Sequence, residues 1–187
     1  QTCALPISGI TLTGTGAGQF YLGNTGNTFS GPVKIAGGET VFNNDGSLGT
    51  GNSVTIDGGK LSLASMNGAG NTSAITSGSI AASRNVFVGS GTGAISVTGA
   101  TGSLTYNGVI ADAPSSTGVL AKQGSGMLAL GGSSTYSGAT LINNGTMQLA
   151  SGNNRLPTAT VVSLGQASSA NLGSLDLNGN NQQIGGL

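Results

Sequence analysis

Short stretches of alternating apolar and polar residues recur along the chain, and a glycine follows most of them within a few positions. Alternate side chains of a β-strand point to opposite faces, so a period of two predicts strands with one buried face. The pattern covers residues 10–14, 54–58, 60–64, 85–89, 94–99, 103–108, 127–131 and 174–179. The side chains expected on buried faces include Leu61 with Leu63, Ile95 with Val97, and Leu175 with Leu177.

Asparagine or aspartate followed by glycine separates many of these segments, as in Asp57-Gly58 and Asn107-Gly108. Such pairs tolerate a positive φ and therefore turn the chain tightly. No segment has the 3.6-residue apolar period of a helix. The sequence therefore predicts an all-β protein.

The composition excludes several classes of protein. Disordered chains combine low hydrophobicity with high net charge, whereas this chain is 36% hydrophobic and has zero net charge. Binding to nucleic acid requires clustered positive charge, and five Lys and Arg are balanced here by five Asp and Glu. We therefore expect no nucleic-acid partner. The 36 glycines fit a regular fold with many tight turns.

The chain also repeats itself. GAGQFYLG at 16–23 aligns with GSGMLALG at 124–131, and NTFSG at 27–31 aligns with STYSG at 134–138. Evenly spaced strands with glycine turns favour a β-solenoid over a sandwich or a barrel. If a coil takes about 20 to 25 residues and coils stack about 4.8 Å apart, we expect roughly eight coils.

The stretch LAKQGSGMLALGGSSTYSGATLINNGTMQL at 120–149 resembles the autotransporter-associated beta-strand repeat of bacterial autotransporter passengers. The matching positions are Leu120, Lys122, Gly124, Gly126, Leu128, Leu130, Thr135, Tyr136, Gly138, Ile142, Gly145, Thr146 and Leu149. A copy at 12–42 departs from the repeat, since Gly14 replaces the lysine, Phe29 the tyrosine and Glu39 the threonine.

The resemblance implies a right-handed parallel β-helix, a fragment of a longer rod, on or outside a bacterial cell. Its implied partners are neighbouring coils of the same full-length chain and an outer-membrane barrel that presents it. We divide the rod into a partial repeat at 9–64, a spacer at 65–117 and a second repeat at 118–187.

The sequence offers little chemistry. It has no histidine, the commonest general base and metal ligand. The acids Glu39, Asp45, Asp57, Asp112 and Asp176 are scattered. Asp45 and Asp57 would act as an acid and base pair only if adjacent coils brought them together. We interpret them as turn residues that bond their own backbone. We expect no enzymatic activity, no cofactor and no metal site.

The sequence is compatible with three functions. The leading hypothesis is a structural stalk of a secreted bacterial surface protein, with adhesion as a further expectation. The first alternative is a glycan-binding or self-binding adhesin module that uses exposed tyrosines or the segments 65–84 and 111–116. Tyr21, Tyr106 and Tyr136 are more simply interpreted as core or turn residues. The second alternative, a β-helical polysaccharide enzyme, requires several acids beside Arg84 or Arg155.

The first eight residues, QTCALPIS, do not fit the rest of the chain. They contain no glycine, and Cys3 is the only cysteine. Gln1 to Ile7 can be encoded by CAG ACG TGT GCT CTT CCG ATC, which resembles the end of a short-read sequencing adapter. Our hypothesis is that residues 1–8 are a sequencing artefact and that the native sequence begins at residue 9.

Overall fold

The computed structural model describes residues 8–15, 18–66, 72–167 and 169–187, so the adapter hypothesis for Gln1 to Ile7 concerns residues outside this description. The described residues form nineteen strands and one 3-10 helix, Asp45–Leu48, without any α-helix. The strands are β1 Ile10–Leu12, β2 Gln19–Leu22, β3 Val33–Ile35, β4 Glu39–Phe42, β5 Ser53–Ile56, β6 Lys60–Leu63, β7 Ser65–Met66, β8 Thr72–Ser73, β9 Gly78–Ile80, β10 Asn85–Val88, β11 Thr92–Val97, β12 Ser103–Tyr106, β13 Ile110–Asp112, β14 Val119–Gln123, β15 Met127–Leu130, β16 Thr140–Ile142, β17 Gly145–Leu149, β18 Val162–Leu164 and β19 Gly173–Asp176.

Three parallel sheets are built from these strands. The first sheet contains β1, β3, β5, β10 and β13, the second contains β2, β4, β6, β11, β14, β16 and β18, and the third contains β9, β12, β15, β17 and β19. Neighbours within a sheet come from successive coils. The chain is therefore an all-β parallel solenoid, as the sequence predicts. The second sheet has one strand from each of seven coils, one fewer than we expected.

The coils differ in length because one of them carries an insertion. Gln19 pairs with Glu39 and Glu39 pairs with Lys60, whereas Lys60 pairs with Ala94. The segment from Lys60 to Ala94 is much longer than the other two because it includes β7 and β8. These two strands form the only antiparallel pair in the described ranges. This hairpin lies in the 65–84 segment, which the sequence offers as a candidate binding segment of an adhesin module. It uses up residues that would otherwise have made part of an eighth coil.

Apolar side chains of successive coils stack in columns inside the solenoid. In the first sheet Val33, Val54, Val86 and Ile110 are paired in register, and all four are fully buried. Burial of one such side chain stabilises the fold by about 1.5–3 kcal/mol. The core therefore grows coil by coil instead of forming around one centre.

The predicted buried faces are correct in the middle of the solenoid and wrong at one edge. Leu61, Leu63, Ile95 and Val97 are buried as predicted. Leu177, in contrast, is 41% exposed. It follows the last residue of β19, which is the outermost described strand of the third sheet, so none of the described strands covers it on the outer side.

Candidate functional site

The matched positions of the second repeat fall on four strands and the segments between them. Leu120 and Lys122 lie in β14, Gly124 and Gly126 follow it, Leu128 and Leu130 lie in β15, Thr135, Tyr136 and Gly138 precede β16, Ile142 lies in β16, and Gly145, Thr146 and Leu149 lie in β17. The leucines, the isoleucine and the tyrosine are all buried. The repeat is thus a pair of two-strand corners stacked on each other.

Glycines of the repeat lie where neighbouring coils approach most closely. A Cβ atom at Gly126 would be 2.6 Å from the carbonyl oxygen of Gly102, and one at Gly138 would overlap the carbonyl oxygen of Gly118. Gly145 also has a φ of 71°, in the left-handed region that favours glycine. Coil stacking therefore requires glycine at these positions.

Lys122 is a buried cation inside the solenoid. In the second sheet the backbone of Lys122 pairs with Ile95 on one side and Ile142 on the other, and its side chain is fully buried. The ammonium donates to the carbonyl oxygens of Gln123 at 2.7 Å, Gly124 at 2.8 Å and Asn144 at 3.0 Å. All three donors are satisfied. Burial lowers the pKa of Lys122 to about 8. The lysine therefore ties two coils together at the corner between the second and third sheets.

Three buried hydroxyl groups, those of Tyr136, Thr140 and Thr160, are linked by hydrogen bonds across two successive coils. The Tyr136 hydroxyl lies 2.5 Å from Thr140 Oγ1, which lies 3.0 Å from Thr160 Oγ1. Thr160 in turn donates to the carbonyl oxygen of Gly138 at 2.9 Å. Burial raises the pKa of Tyr136 above its ordinary value. This network satisfies polar groups that would otherwise be unpaired in the core.

The two copies of the repeat occupy different sheets. The first copy runs through β1 and β2 and then β3 and β4, which belong to the first and second sheets. The second copy runs through β14 and β15 and then β16 and β17, which belong to the second and third sheets. One copy is therefore rotated by one side of the solenoid relative to the other. In the first copy Phe29 is only 8% exposed and takes the core position of the tyrosine.

Arg84 and Asp45 form a nearly buried ion pair. Arg84 is 5% exposed, and its Nε and Nη2 atoms donate to the Asp45 carboxylate at 2.8 and 3.0 Å. The guanidinium also donates to the carbonyl oxygens of Leu48, Gly49 and Gly51. Burial raises the pKa of Asp45, but the hydrogen bonds from Arg84 and from the Ala81 amide, together with the charge of Arg84, outweigh burial and hold the pKa below its ordinary value. The pair fixes the 3-10 helix to a later coil.

The remaining acids also connect coils. Asp57 accepts a hydrogen bond from the Gly91 amide at 3.1 Å and lies 3.3 Å from Lys34 Nζ. Asp112 accepts hydrogen bonds from the Ser137 amide and hydroxyl. Our interpretation of Asp57 as a residue that bonds its own turn is wrong, because its partner belongs to the next coil. Asp45 and Asp57 have separate partners, Arg84 for Asp45 and Gly91 with Lys34 for Asp57.

A groove of about 810 Å³ lies on the outside of the corner between the first and second sheets. Its lining comprises Gly14, Gln19, Ala36, Gly37, Gly38, Glu39, Gly58, Gly59, Lys60, Thr92, Ala94 and Gln123. Glu39 is the hub of its polar side chains, since it accepts from Gln19 at 2.7 Å and Ser62 at 2.5 Å and lies 3.1 Å from Lys60 Nζ. Burial raises the pKa of Glu39, but these partners outweigh burial and lower it overall.

Two of the three tyrosines belong to the core. Tyr106 is 1% exposed and donates to the Arg84 carbonyl oxygen at 2.7 Å, and burial raises its pKa to about 12. Tyr136 is fully buried. The expectation of core tyrosines is confirmed for both residues. Tyr21 is 41% exposed on the outer face of the second sheet, so the expectation is wrong there.

The described ranges contain no group of three or more acidic, histidine or cysteine side chains able to hold a metal ion. Arg84 meets a single acid, and Arg155 donates to the Ser133 hydroxyl at 2.8 Å. The cluster that a polysaccharide enzyme would require is therefore not formed by the residues that the structure describes. No helix in this part of the chain is long and apolar enough to cross a membrane.

Comparison with known proteins identifies the repeat. The family model described as passenger-associated-transport-repeat matches the chain twice, at residues 12–41 and 120–149. These segments are the two copies found in the sequence, so the resemblance to autotransporter passengers is confirmed. Searches of curated proteins and of solved structures gave no match. The chain therefore holds two segments that match the passenger-associated-transport-repeat model within one parallel β-solenoid.

Proposed function

We propose that this chain is a structural stalk within the passenger of a secreted bacterial surface protein of the autotransporter type. The observation that supports this function is the use of its charged side chains. Lys122, Arg84 and Asp112 each bond to a different coil, through Asn144, Asp45 and Ser137 respectively. Most of the scarce charge thus serves cohesion between coils.

The solenoid architecture suits a stalk for a simple physical reason. Each coil packs mainly against the coils above and below, so its stability is a sum of local contributions and its length can vary. A rod of this kind extends by about 4.8 Å for every coil added. Repeated units therefore provide reach without a new core.

The proposal places the chain on the cell surface or outside the cell, after passage through the outer membrane. Its partners would be further coils of the same full-length chain and an outer-membrane barrel. These assignments come from the repeat family and from the solenoid fold together.

The stalk proposal predicts that a whole coil is dispensable. Leu128 pairs with Met147 in the third sheet, so deletion of residues 128–146 removes one turn and preserves the register. In the full-length protein we expect normal surface display, measured by accessibility of an epitope tag to external protease. Deletion of residues 128–136 removes about half a turn and is the matched control, which we expect to abolish display. Loss of display in both variants would contradict the stalk.

A second candidate is a glycan-binding adhesin module. The observation that favours it is the polar groove on the outside of the first repeat, since coil stacking does not require a cavity there.

A further inference from the structure

We propose that the groove between the first and second sheets binds a neutral oligosaccharide in an extended conformation. This inference rests on the adhesive candidate above and is independent of the stalk. The groove volume of about 810 Å³ lies within the range of about 300–1,000 Å³ that is usual for ligand sites.

Two lining positions of the groove are places where the first repeat departs from the repeat pattern. Gly14 takes the position that Lys122 has in the second copy, and Glu39 takes the position of Thr146. Both of these replaced positions line the groove. The corresponding corner of the second copy, lined by residues such as Asn143 and Asn144, holds a cavity of only about 250 Å³. The groove is therefore larger than the cavity at the equivalent corner of the second copy, and its lining is shared between the first copy and the coils that follow it.

The polar side chains of the groove form a ladder along the rod. Gln19, Glu39 and Lys60 are paired in register on three successive coils, which lie about 4.8 Å apart. A ligand stretched along the axis would meet a new polar group at each coil. Exposed Thr92 and half-buried Gln123 continue the lining on the next two coils.

The network around Glu39 orients these groups before a ligand arrives. Glu39 accepts the amide hydrogen of Gln19, so the bond uses the Gln19 nitrogen and not its oxygen, which is an acceptor for a hydroxyl group. Lys60 lies 3.1 Å from Glu39 and has three N–H donors, so two remain for a ligand. Donors and acceptors in alternation along a groove suit a chain of sugar hydroxyl groups.

Charge and topology argue against other occupants. The groove carries one carboxylate and one ammonium, whose charges cancel, so it does not attract nucleic acid or another polyanion. A peptide strand would require a free sheet edge, whereas β4 is paired on both sides, with β2 and with β6. The cradle of five glycines and two alanines exposes backbone instead of a large apolar surface that would hold a lipid.

The test is titration of the isotopically labelled chain with maltotetraose, cellotetraose and tetra-N-acetylchitotetraose, followed by amide chemical shifts in NMR spectra. We expect at least one probe to shift the amides of residues 36–39 and 58–60. Lys60→Met removes the free donors and should weaken that binding by at least about tenfold. Lys34→Met is the matched control, because Lys34 is also ion-paired but does not line the groove.

Three results would overturn the site. They are an absence of shifts with all three probes, shifts confined to another surface, or equal weakening by the two methionine variants. Shifts on another surface would reject this groove while leaving an adhesive function in place. None of these results would affect the stalk, which depends on the display of the coil-deletion variants.

Discussion

Substitution of Lys122 by methionine tests whether the buried ammonium has the energetic role that its geometry implies. The change removes a charge from the core and leaves three carbonyl oxygens without their donor. An orphaned buried acceptor costs about 1–3 kcal/mol. Relief from burying the charge offsets part of this loss, because the pKa of Lys122 is lowered from 10.5 to about 8 by burial. That shift corresponds to about 3 kcal/mol at neutral pH.

The pH dependence separates these two contributions. Because the folded-state pKa is lower than the unfolded-state value, the unfolded chain binds more protons between pH 8 and 10.5. The free energy of unfolding of the wild type should therefore rise with pH in this window. For a shift from 10.5 to about 8, the rise between about pH 7 and 9.5 is about 2 kcal/mol. The Lys122→Met variant lacks this rise.

The assay is urea unfolding followed by circular dichroism, at several pH values, for the wild type and Lys122→Met. The difference between the two proteins cancels the contribution of tyrosines that titrate at higher pH. We expect Lys122→Met to be less stable than the wild type, by a margin that grows with pH. A margin that is constant with pH would refute the argument that burial lowers the pKa of this lysine.

Four further substitutions probe the cohesion of the coils, and the midpoint of thermal unfolding is the measurement for each. Thr40 has a fully buried hydroxyl without a hydrogen-bond partner among the described residues, so Thr40→Val should stabilise the fold by about 1 kcal/mol. Thr140→Val, which breaks the contact with Tyr136, should destabilise the fold by about 1–3 kcal/mol. A loss of stability in both variants would contradict these expectations. Arg84→Met leaves Asp45 without its cation and should cost about 3–5 kcal/mol, and an effect below about 1 kcal/mol would show the pair to be dispensable. Because its pKa is lowered, Asp45 contributes stability above its unfolded value of 3.8, which is lost as the pH falls; Asp45→Asn should abolish that part of the acid sensitivity.

The strands with visible alternation could be predicted from sequence, and the shortest ones could not. β12 follows from its period of two, which extends over the whole strand, and β11 follows from the alternation that begins at residue 94. β3 and β16 are too short to establish a period, and they are strands because both neighbouring coils pair with them. Tertiary pairing therefore supplies what local pattern lacks in these segments.

The site was harder to predict than the fold, because its members are distant in sequence. Lys122 lies two residues after Leu120. Because alternate residues of a strand share a face, alternation alone would have placed the lysine on the buried side with Leu120. The groove has no such signal. It brings together Gln19, Glu39 and Lys60, whose proximity depends on two consecutive coils of nearly equal length. The following coil, from Lys60 to Ala94, is much longer, so coil length cannot be extrapolated from one turn to the next.

The rotation between the two repeats determines the directions in which their corners face around the solenoid axis. Viewed down the axis, the corner of the first repeat and the corner of the second face different directions. Groups attached to equivalent corners of the two repeats would therefore differ in direction around the axis as well as in height along it. A rod of this type can reach surfaces on several sides while using one recurring sequence unit.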